Sequence, residues 1–317
     1  MIEGTAARPA RHGAIAICIA LTTLGLGACG GGSNNAASSD GTSTSTSTST
    51  STSQATTATP TGAGAASHAA SAALLTQAVA GYRAYVARET ALLLAGTRQF
   101  VAALEQGNAQ KAEVLYGPVH RHYEAIEPVA ESFGALDPEI DARINDVPNV
   151  KQWTGFHRIE RTLWRHDTTQ GTDPYARKLL ADVIVLNGKV KALHLEAPQL
   201  ASGAEDLLNE VATSKITGEE ERYSHTDLSD FAGNLAGAKV AFELLRPALV
   251  AHGASALASD IAARFAAVQH GLDAYRRDTP LGYAGYGELT GADRRRFAEQ
   301  VDALAEPLST VAARVAG

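Results

Sequence analysis

Cysteine is nearly absent from this sequence of 317 residues. Its two cysteines, Cys18 and Cys29, both lie near the N-terminus. They cannot cross-link a folded domain further along the chain, so its stability must come from packing. Thiolate-rich metal sites of the kind that select copper(I) are excluded for the same reason.

Several other signals are missing as well. The sequence has no long basic run and a formal net charge of -7, which disfavours nucleic-acid binding and favours cations as ligands. It contains no His-Glu-x-x-His zinc protease motif, no Gly-x-Ser-x-Gly nucleophile motif and no phosphate-binding glycine loop. No alternating strand pattern of convincing length occurs, and alanine is abundant while aromatics make up only 6%. These features favour an all-α fold.

The N-terminus has the features of a secretory signal. Arg8 and Arg11 precede an apolar run over residues 14–26, which is too short for a comfortable membrane span. The run ends in Leu26-Gly27-Ala28-Cys29, which resembles a bacterial lipobox. That resemblance implies cleavage before Cys29 and its acylation, leaving a membrane-anchored lipoprotein in the periplasm or on the cell surface. The alternative is an ordinary cleaved signal with Cys29 there by chance.

Composition divides the chain into three parts. We predict a signal peptide over residues 1–28, then a disordered linker over residues 29–69 that begins at the lipidated cysteine. This linker is rich in Ser and Thr and cannot bury enough apolar surface to fold. A helical domain over residues 70–317 follows. Periodicity and breakers predict seven or eight helices in it, over about 70–106, 109–133 (kinked at Pro128), 153–166, 173–197, 198–213, 227–250, 255–276 and 290–316.

The most informative stretch is Trp153–Trp164. His157 and Glu160 are three residues apart, so a helix places both on one face, beside an apolar stripe that includes Phe156 and Ile159. Thr154 is predicted to cap this helix, and Gly155 to let another backbone approach closely. The pair can start a metal site, but it can equally be a solvated ion pair or a core histidine with its partner.

Further carboxylates can complete such a site. If the first helices pack antiparallel, Glu127 and Asp141 fold back toward His157 and Glu160, giving three carboxylates and one imidazole. This donor set suits iron, manganese or zinc. Alternatively, Glu124 and Glu127 form a polar helix face, and Asp141 pairs with Arg143 or Arg158. Because the motif is His-x-x-Glu without a second copy, a dinuclear site is not indicated.

Other polar residues carry weaker signals. His120 and His122 are two residues apart and do not share a helix face, so they flank the site or lie at the surface. The segment Tyr223–Asp227 is typical of a helix start. Tyr283 and Tyr286 either line a cleft or pack the end of the bundle.

Several of these segments together resemble the EfeO family. The resemblance rests on residues 123–133, 136–143, 154–160, 214–219, 223–228 and 286–290. It implies an imelysin-like bundle of two pseudo-repeated four-helix halves with a cleft between them. It also implies a metal site at His157 and Glu160, with Glu127 and Asp141 at the family's acidic positions. Full-length members add a cupredoxin domain, and this chain has a Ser/Thr spacer there, so it resembles the short form.

The resemblance also implies a function. Members of this family are extracytoplasmic components of bacterial iron-uptake systems. We therefore expect a lipoprotein that binds iron, with zinc or another divalent cation as alternatives. It would deliver the ion to a membrane permease that works with peroxidase-type components, and it would not be an enzyme. Two alternatives remain: a metallopeptidase, the class in which imelysin-like domains are nominally placed, and a lipoprotein that binds an acidic polysaccharide or another solute.

Overall fold

The computed structural model describes residues 62–213 and 215–316, and this part of the chain is all-α. Its helices are α1 (Gly62–Glu105), α2 (Ala109–Glu124), α3 (Glu127–Glu131), α4 (Leu136–Asp141), α5 (Phe156–His166), α6 (Asp173–Val190), α7 (Ala197–Thr213), α8 (Asp227–Ala251), α9 (Ser255–Asp273), α10 (Gly291–Ser309) and α11 (Val311–Val315). Only one isolated β-bridge, between Arg276 and Tyr283, occurs within these ranges. The predicted fold class is confirmed. None of these helices is long and apolar enough to cross a membrane.

Several helix boundaries differ from the sequence prediction. Helix α4 was not predicted, the helix predicted over residues 173–197 ends at Val190, and the helix predicted over residues 290–316 is divided into α10 and α11. The helix predicted over residues 109–133 is divided: α2 ends at Glu124, and α3 starts at Glu127 with Pro128 in its first turn. Proline has no backbone N–H and is favoured where a helix begins, so Pro128 marks a new helix instead of a kink. In addition, α1 begins at Gly62, inside the segment predicted as linker, because its alanine-rich start favours helix.

Eight of the eleven helices in the described residues form two groups of four. In the first group, α1 contacts α2 and α6, and α5 contacts the same two helices. In the second, α7 and α9 each contact α8 and α10. Helix α8 also contacts α1 and α2, which joins the groups into one core. The predicted architecture of two four-helix halves is therefore confirmed.

The start of α5 is fixed by a close approach to α4. Gly155 precedes the helix with a φ of 88°, and a Cβ on it would lie 2.1 Å from the carbonyl oxygen of Ile140. The close approach predicted for Gly155 is therefore observed. The predicted Thr154 cap is wrong: the Thr154 hydroxyl donates instead to the Glu139 carbonyl, at 2.8 Å. Both contacts hold α5 against the end of α4.

We expect Gly155→Ala to destabilise the fold strongly. The new methyl group would combine an unfavourable positive φ with a backbone clash, at a cost of about 3 kcal/mol in the free energy of unfolding. Gly134→Ala is the matched control, because Gly134 has a φ of 65° but nothing within 4 Å of its Cβ position; it should cost only about 1 kcal/mol. Urea unfolding measures both, and equal losses would contradict the clash.

Candidate metal site

His157 lies in the first turn of α5 and is almost completely buried. Its Nδ1 is 3.3 Å from Glu160 Oε2, and its Nε2 is 3.7 Å from Asp141 Oδ1 and 3.5 Å from Glu220 Oε1. Burial lowers the pKa of His157, but the carboxylates of Glu160 and Glu220 beside it raise that pKa well above its usual value. The raised pKa favours the protonated form of His157, and this imidazolium supplies positive charge to the acidic cluster.

One carboxylate oxygen of Glu160 faces His157, and the other faces the loop over residues 218–226. Its Oε1 accepts hydrogen bonds from the backbone N–H groups of Tyr223 and Ser224, at 2.8 and 2.7 Å. Burial, and then the nearby Glu221, raise the pKa of Glu160 to about 7. Glu160 therefore ties the 218–226 loop to α5, and only Oε2 is available for a ligand role.

Asp141, the last residue of α4, joins two histidines. Its Oδ1 is 2.5 Å from His120 Nε2 and 3.7 Å from His157 Nε2. His120 projects from α2, is fully buried, and has Glu221 Oε1 2.9 Å from its Nδ1. Burial lowers the pKa of His120, but Asp141 and Asp230 raise it well above its usual value.

The 215–221 segment contributes three charged side chains to the cluster, and local sequence patterns do not predict that these side chains are buried. Glu220, Glu221 and Lys215 are all buried. The Lys215 ammonium is 2.8 Å from Glu124 Oε2 and 3.0 Å from Glu220 Oε1. Burial raises the pKa of Glu220, but Lys215 and His157 hold it well below its usual value. Glu221 is fixed by the hydroxyls of Tyr116 and Ser224, and although burial raises its pKa, His120 lowers it to about 2.

Three sets of buried side chains are close enough to hold a cation. In each, one ligand atom per residue lies within 4.8 Å of the others, and the sets are His120–Glu124–Asp141, Asp141–His157–Glu220 and His120–His157–Glu221. Imidazole with carboxylates is a donor set for iron, manganese or zinc, and the absence of thiolate disfavours copper(I).

The predicted site residues do not all lie in the cluster. The structure brings Asp141, His157 and Glu160 together in one buried cluster. Glu127 lies at its edge, partly buried, where its Oε2 accepts a hydrogen bond from Asn234 at 3.3 Å. Cys29, the signal peptide and most of the predicted linker lie outside the described residues.

Sequence reasoning missed several members of the cluster. His120 was compared with His122, two residues away, whereas Glu124 is on the same face one turn later, 3.4 Å from His120 Nε2. That His-x-x-x-Glu spacing was the available signal. Glu220 and Glu221 are not among the predicted site residues, because nothing local distinguishes them from exposed Glu219.

The two late tyrosines do not line an open cleft. Tyr283 and Tyr286 are both buried. The Tyr286 hydroxyl donates to the Ile216 carbonyl at 2.6 Å, and the guanidinium groups of Arg121 and Arg276 lie 5.5 and 5.3 Å from the centre of the Tyr283 ring. They pack the end of the bundle, which was the second of the two interpretations.

Comparisons with known proteins identify relatives of this chain. The imelysin family, also designated peptidase M75, matches residues 78–311. The iron uptake system component EfeO of Escherichia coli K12 is 43% identical over 235 residues, covering 73% of this chain and 62% of that protein. The component of the same name from Shigella flexneri gives the same values. The chain thus spans less than two thirds of the length of these relatives. Since the family match covers more than half of the chain, and the resemblance to EfeO drawn from the motifs is confirmed, the chain belongs to the imelysin family.

Proposed function

We propose that this protein captures iron, or another divalent transition cation, for a membrane uptake system. The observation that carries the proposal is the buried Asp141–His157–Glu220 set, which combines one imidazole with two carboxylates. The EfeO relatives are named as components of an iron uptake system. Iron is the cargo of such a site, so the site must both load and release it.

An acidic cleft gives the ion a route to this set. It has a volume of about 190 Å³ and is lined by Asp141 and Glu220 together with more exposed acidic residues: Glu127, Glu131, Asp137, Asp146 and Glu210. A cleft lined by one sign of charge raises the local concentration of counter-ions. Two of the three ligands therefore face the entrance, and His157 lies behind them.

Release can be coupled to the loop that bears Glu220. Glu160 binds the backbone of this loop at Tyr223 and Ser224, and Gly218 allows the turn at its start with a φ of 75°. Because Glu220 is on the loop while Asp141 and His157 are on helices, movement of the loop removes one ligand and leaves the others in place. Among the predicted site residues, Glu160 would then position the loop, and Glu127 would attract cations at the entrance.

The remaining parts of the proposal concern location and partners. We propose acylation of Cys29 after removal of residues 1–28, a linker over residues 29–69, and delivery to a membrane permease with peroxidase-type components. The lipobox resemblance and the EfeO similarity support these assignments.

The two alternatives fit the geometry less well. A metallopeptidase must bring a peptide bond to its metal, but Glu124, Glu160 and Glu221 are fully buried and Glu220 nearly so. An acidic polysaccharide would be repelled by the carboxylates that line the cleft. The site is better matched to a small cation than to either substrate.

Anaerobic titration calorimetry with ferrous ion, on the folded domain purified without an affinity tag, tests the proposal. We expect stoichiometric binding that a chelator reverses, with no binding of alginate after metal removal and no cleavage of casein with zinc. The absence of any ferrous, manganous or zinc binding would overturn the proposal, and metal-independent alginate binding would favour the polysaccharide alternative.

A further inference from the structure

A second set of possible ligands lies directly beside the first. His120 Nε2 is 2.5 Å from Asp141 Oδ1 and 3.4 Å from Glu124 Oε1. His120 and Glu124 are fully buried and Asp141 nearly so. Capture of one ion at Asp141–His157–Glu220 uses Asp141 but neither His120 nor Glu124. The two sets therefore share one carboxylate and differ in their other members.

Each set contains a buried ligand atom without a hydrogen-bond partner. In the second set it is Glu124 Oε1, and in the first it is His157 Nε2. A buried carboxylate oxygen that accepts no hydrogen bond loses free energy unless something else satisfies it. Glu124 Oε1 lies 3.4 Å from His120 Nε2, and His157 Nε2 lies 3.7 Å from Asp141 Oδ1. When the imidazoles are neutral, each of the two unpartnered atoms has a lone pair that a bound cation would satisfy.

The two sets of possible ligands around Asp141 have the same composition. His120 and Glu124 form one pair of possible ligands beside Asp141, and His157 and Glu220 form the other. The Lys215 ammonium links the two glutamates, 2.8 Å from Glu124 and 3.0 Å from Glu220. Each set thus offers one imidazole, one glutamate and a share of one aspartate.

The charge of the cluster also fits more than one divalent ion. Six buried carboxylates lie within 4.0 Å of the two imidazoles: Glu124, Asp141, Glu160, Glu220, Glu221 and Asp230. With all six carboxylates ionised and both histidines neutral, the Lys215 ammonium and the Arg143 guanidinium, which is 2.7 Å from Glu220 Oε2, leave four net negative charges. One divalent ion would reduce these to two, and two divalent ions would neutralise them. Buried charge is costly unless it is compensated.

We propose that His120, Glu124 and Asp141 bind a second divalent transition cation, bridged by the Asp141 carboxylate to the ion at Asp141–His157–Glu220. The inference rests on the proposed function, because it assumes that the first set is a metal site. It changes the expected stoichiometry from one ion to two. It also gives roles to His120 and Glu124, which the one-ion site leaves without any.

Manganous ion provides a direct test, since two neighbouring Mn²⁺ ions couple magnetically whereas one gives an isolated six-line signal. We expect wild-type protein to bind two Mn²⁺ per chain, with a coupled signal in electron paramagnetic resonance. His120→Asn should retain one ion with the isolated signal, and the second ion should bind at least about tenfold more weakly. His122→Asn is the matched control, since His122 is two residues along α2, partly exposed and paired with Glu89; it should retain two coupled ions.

The outcomes separate the two proposals. One uncoupled Mn²⁺ ion in the wild type, or none, overturns the second site, whereas the proposed function is overturned only if ferrous and zinc ions also fail to bind. Two coupled ions retained by His120→Asn overturn the assignment of ligands. If circular dichroism shows that His120→Asn does not fold, Glu124→Gln takes its place with the same expected loss, because glutamine keeps the shape of the side chain and an acceptor for Asn234.

Discussion

Asp141→Asn is expected to weaken ferrous binding at least about a hundredfold. Loss of an outer partner of a metal ligand already costs about 10- to 100-fold, and Asp141 contacts both imidazoles directly, at 2.5 and 3.7 Å. Asparagine keeps the size and one oxygen but removes the negative charge. It also leaves His120 without its closest carboxylate. Anaerobic calorimetry measures the change in Kd, and circular dichroism checks that helicity is unchanged.

The control for this prediction is Asp146→Asn. Asp146 lines the same cleft and its loss changes the net charge equally, but its side chain is 43% exposed and pairs with Arg143. Exposed charges in a cleft act mainly on the rate of association, so the Kd should change by no more than about threefold. If Asp141→Asn also stays within threefold of wild type, Asp141 is not a ligand and both metal proposals lose their shared residue.

The helices could be predicted because their signals are local. Thr290 and Asp293 form a capping box at the predicted start of α10, and Asp173-Pro174 begins α6 at its predicted start. The shared face of His157 and Glu160 followed from helical periodicity. The close backbone approach at Gly155 could be predicted because only glycine has no Cβ, and the structure shows the Ile140 carbonyl oxygen near the position that a Cβ would occupy.

The complete cluster could not be predicted, because burial of a charge depends on distant elements. Glu221 is buried by contacts with Tyr116 and His120, about a hundred positions earlier in the chain. Lys215 resembles any exposed lysine until Glu124 is placed beside it. A charged side chain is buried in a core only when a partner of opposite charge is buried beside it, and a single local sequence pattern contains at most one of the two.

Lys215→Met is expected to destabilise the metal-free protein by about 3–5 kcal/mol at pH 7.5, the usual cost of removing one partner from a buried ion pair. Lys215 is fully enclosed between Glu124 and Glu220. Burial lowers its pKa, but Glu124, Glu127 and Glu220 raise it well above its usual value. Methionine fills a similar volume, so the loss reports charge more than packing. The matched control is Lys178→Met, because Lys178 is 37% exposed and pairs with Glu139 and Asp182; it should cost about 0–1 kcal/mol.

The deficit of Lys215→Met should shrink in acid. Without the ammonium, the folded protein favours the protonated forms of Glu124 and Glu220, so their pKa values rise above those of the unfolded chain. A folded state that binds more protons than the unfolded state becomes more stable as pH falls toward the unfolded pKa values. Urea unfolding at pH 5 and pH 7.5 should therefore show a smaller difference from wild type at pH 5.

Saturating Mn²⁺ should also reduce the deficit at pH 7.5, because the bound ions supply the missing positive charge. If the deficit is the same at both pH values and Mn²⁺ does not change it, Lys215 stabilises the fold by packing. Its positive charge between the two glutamates would then not be the source of the stabilisation.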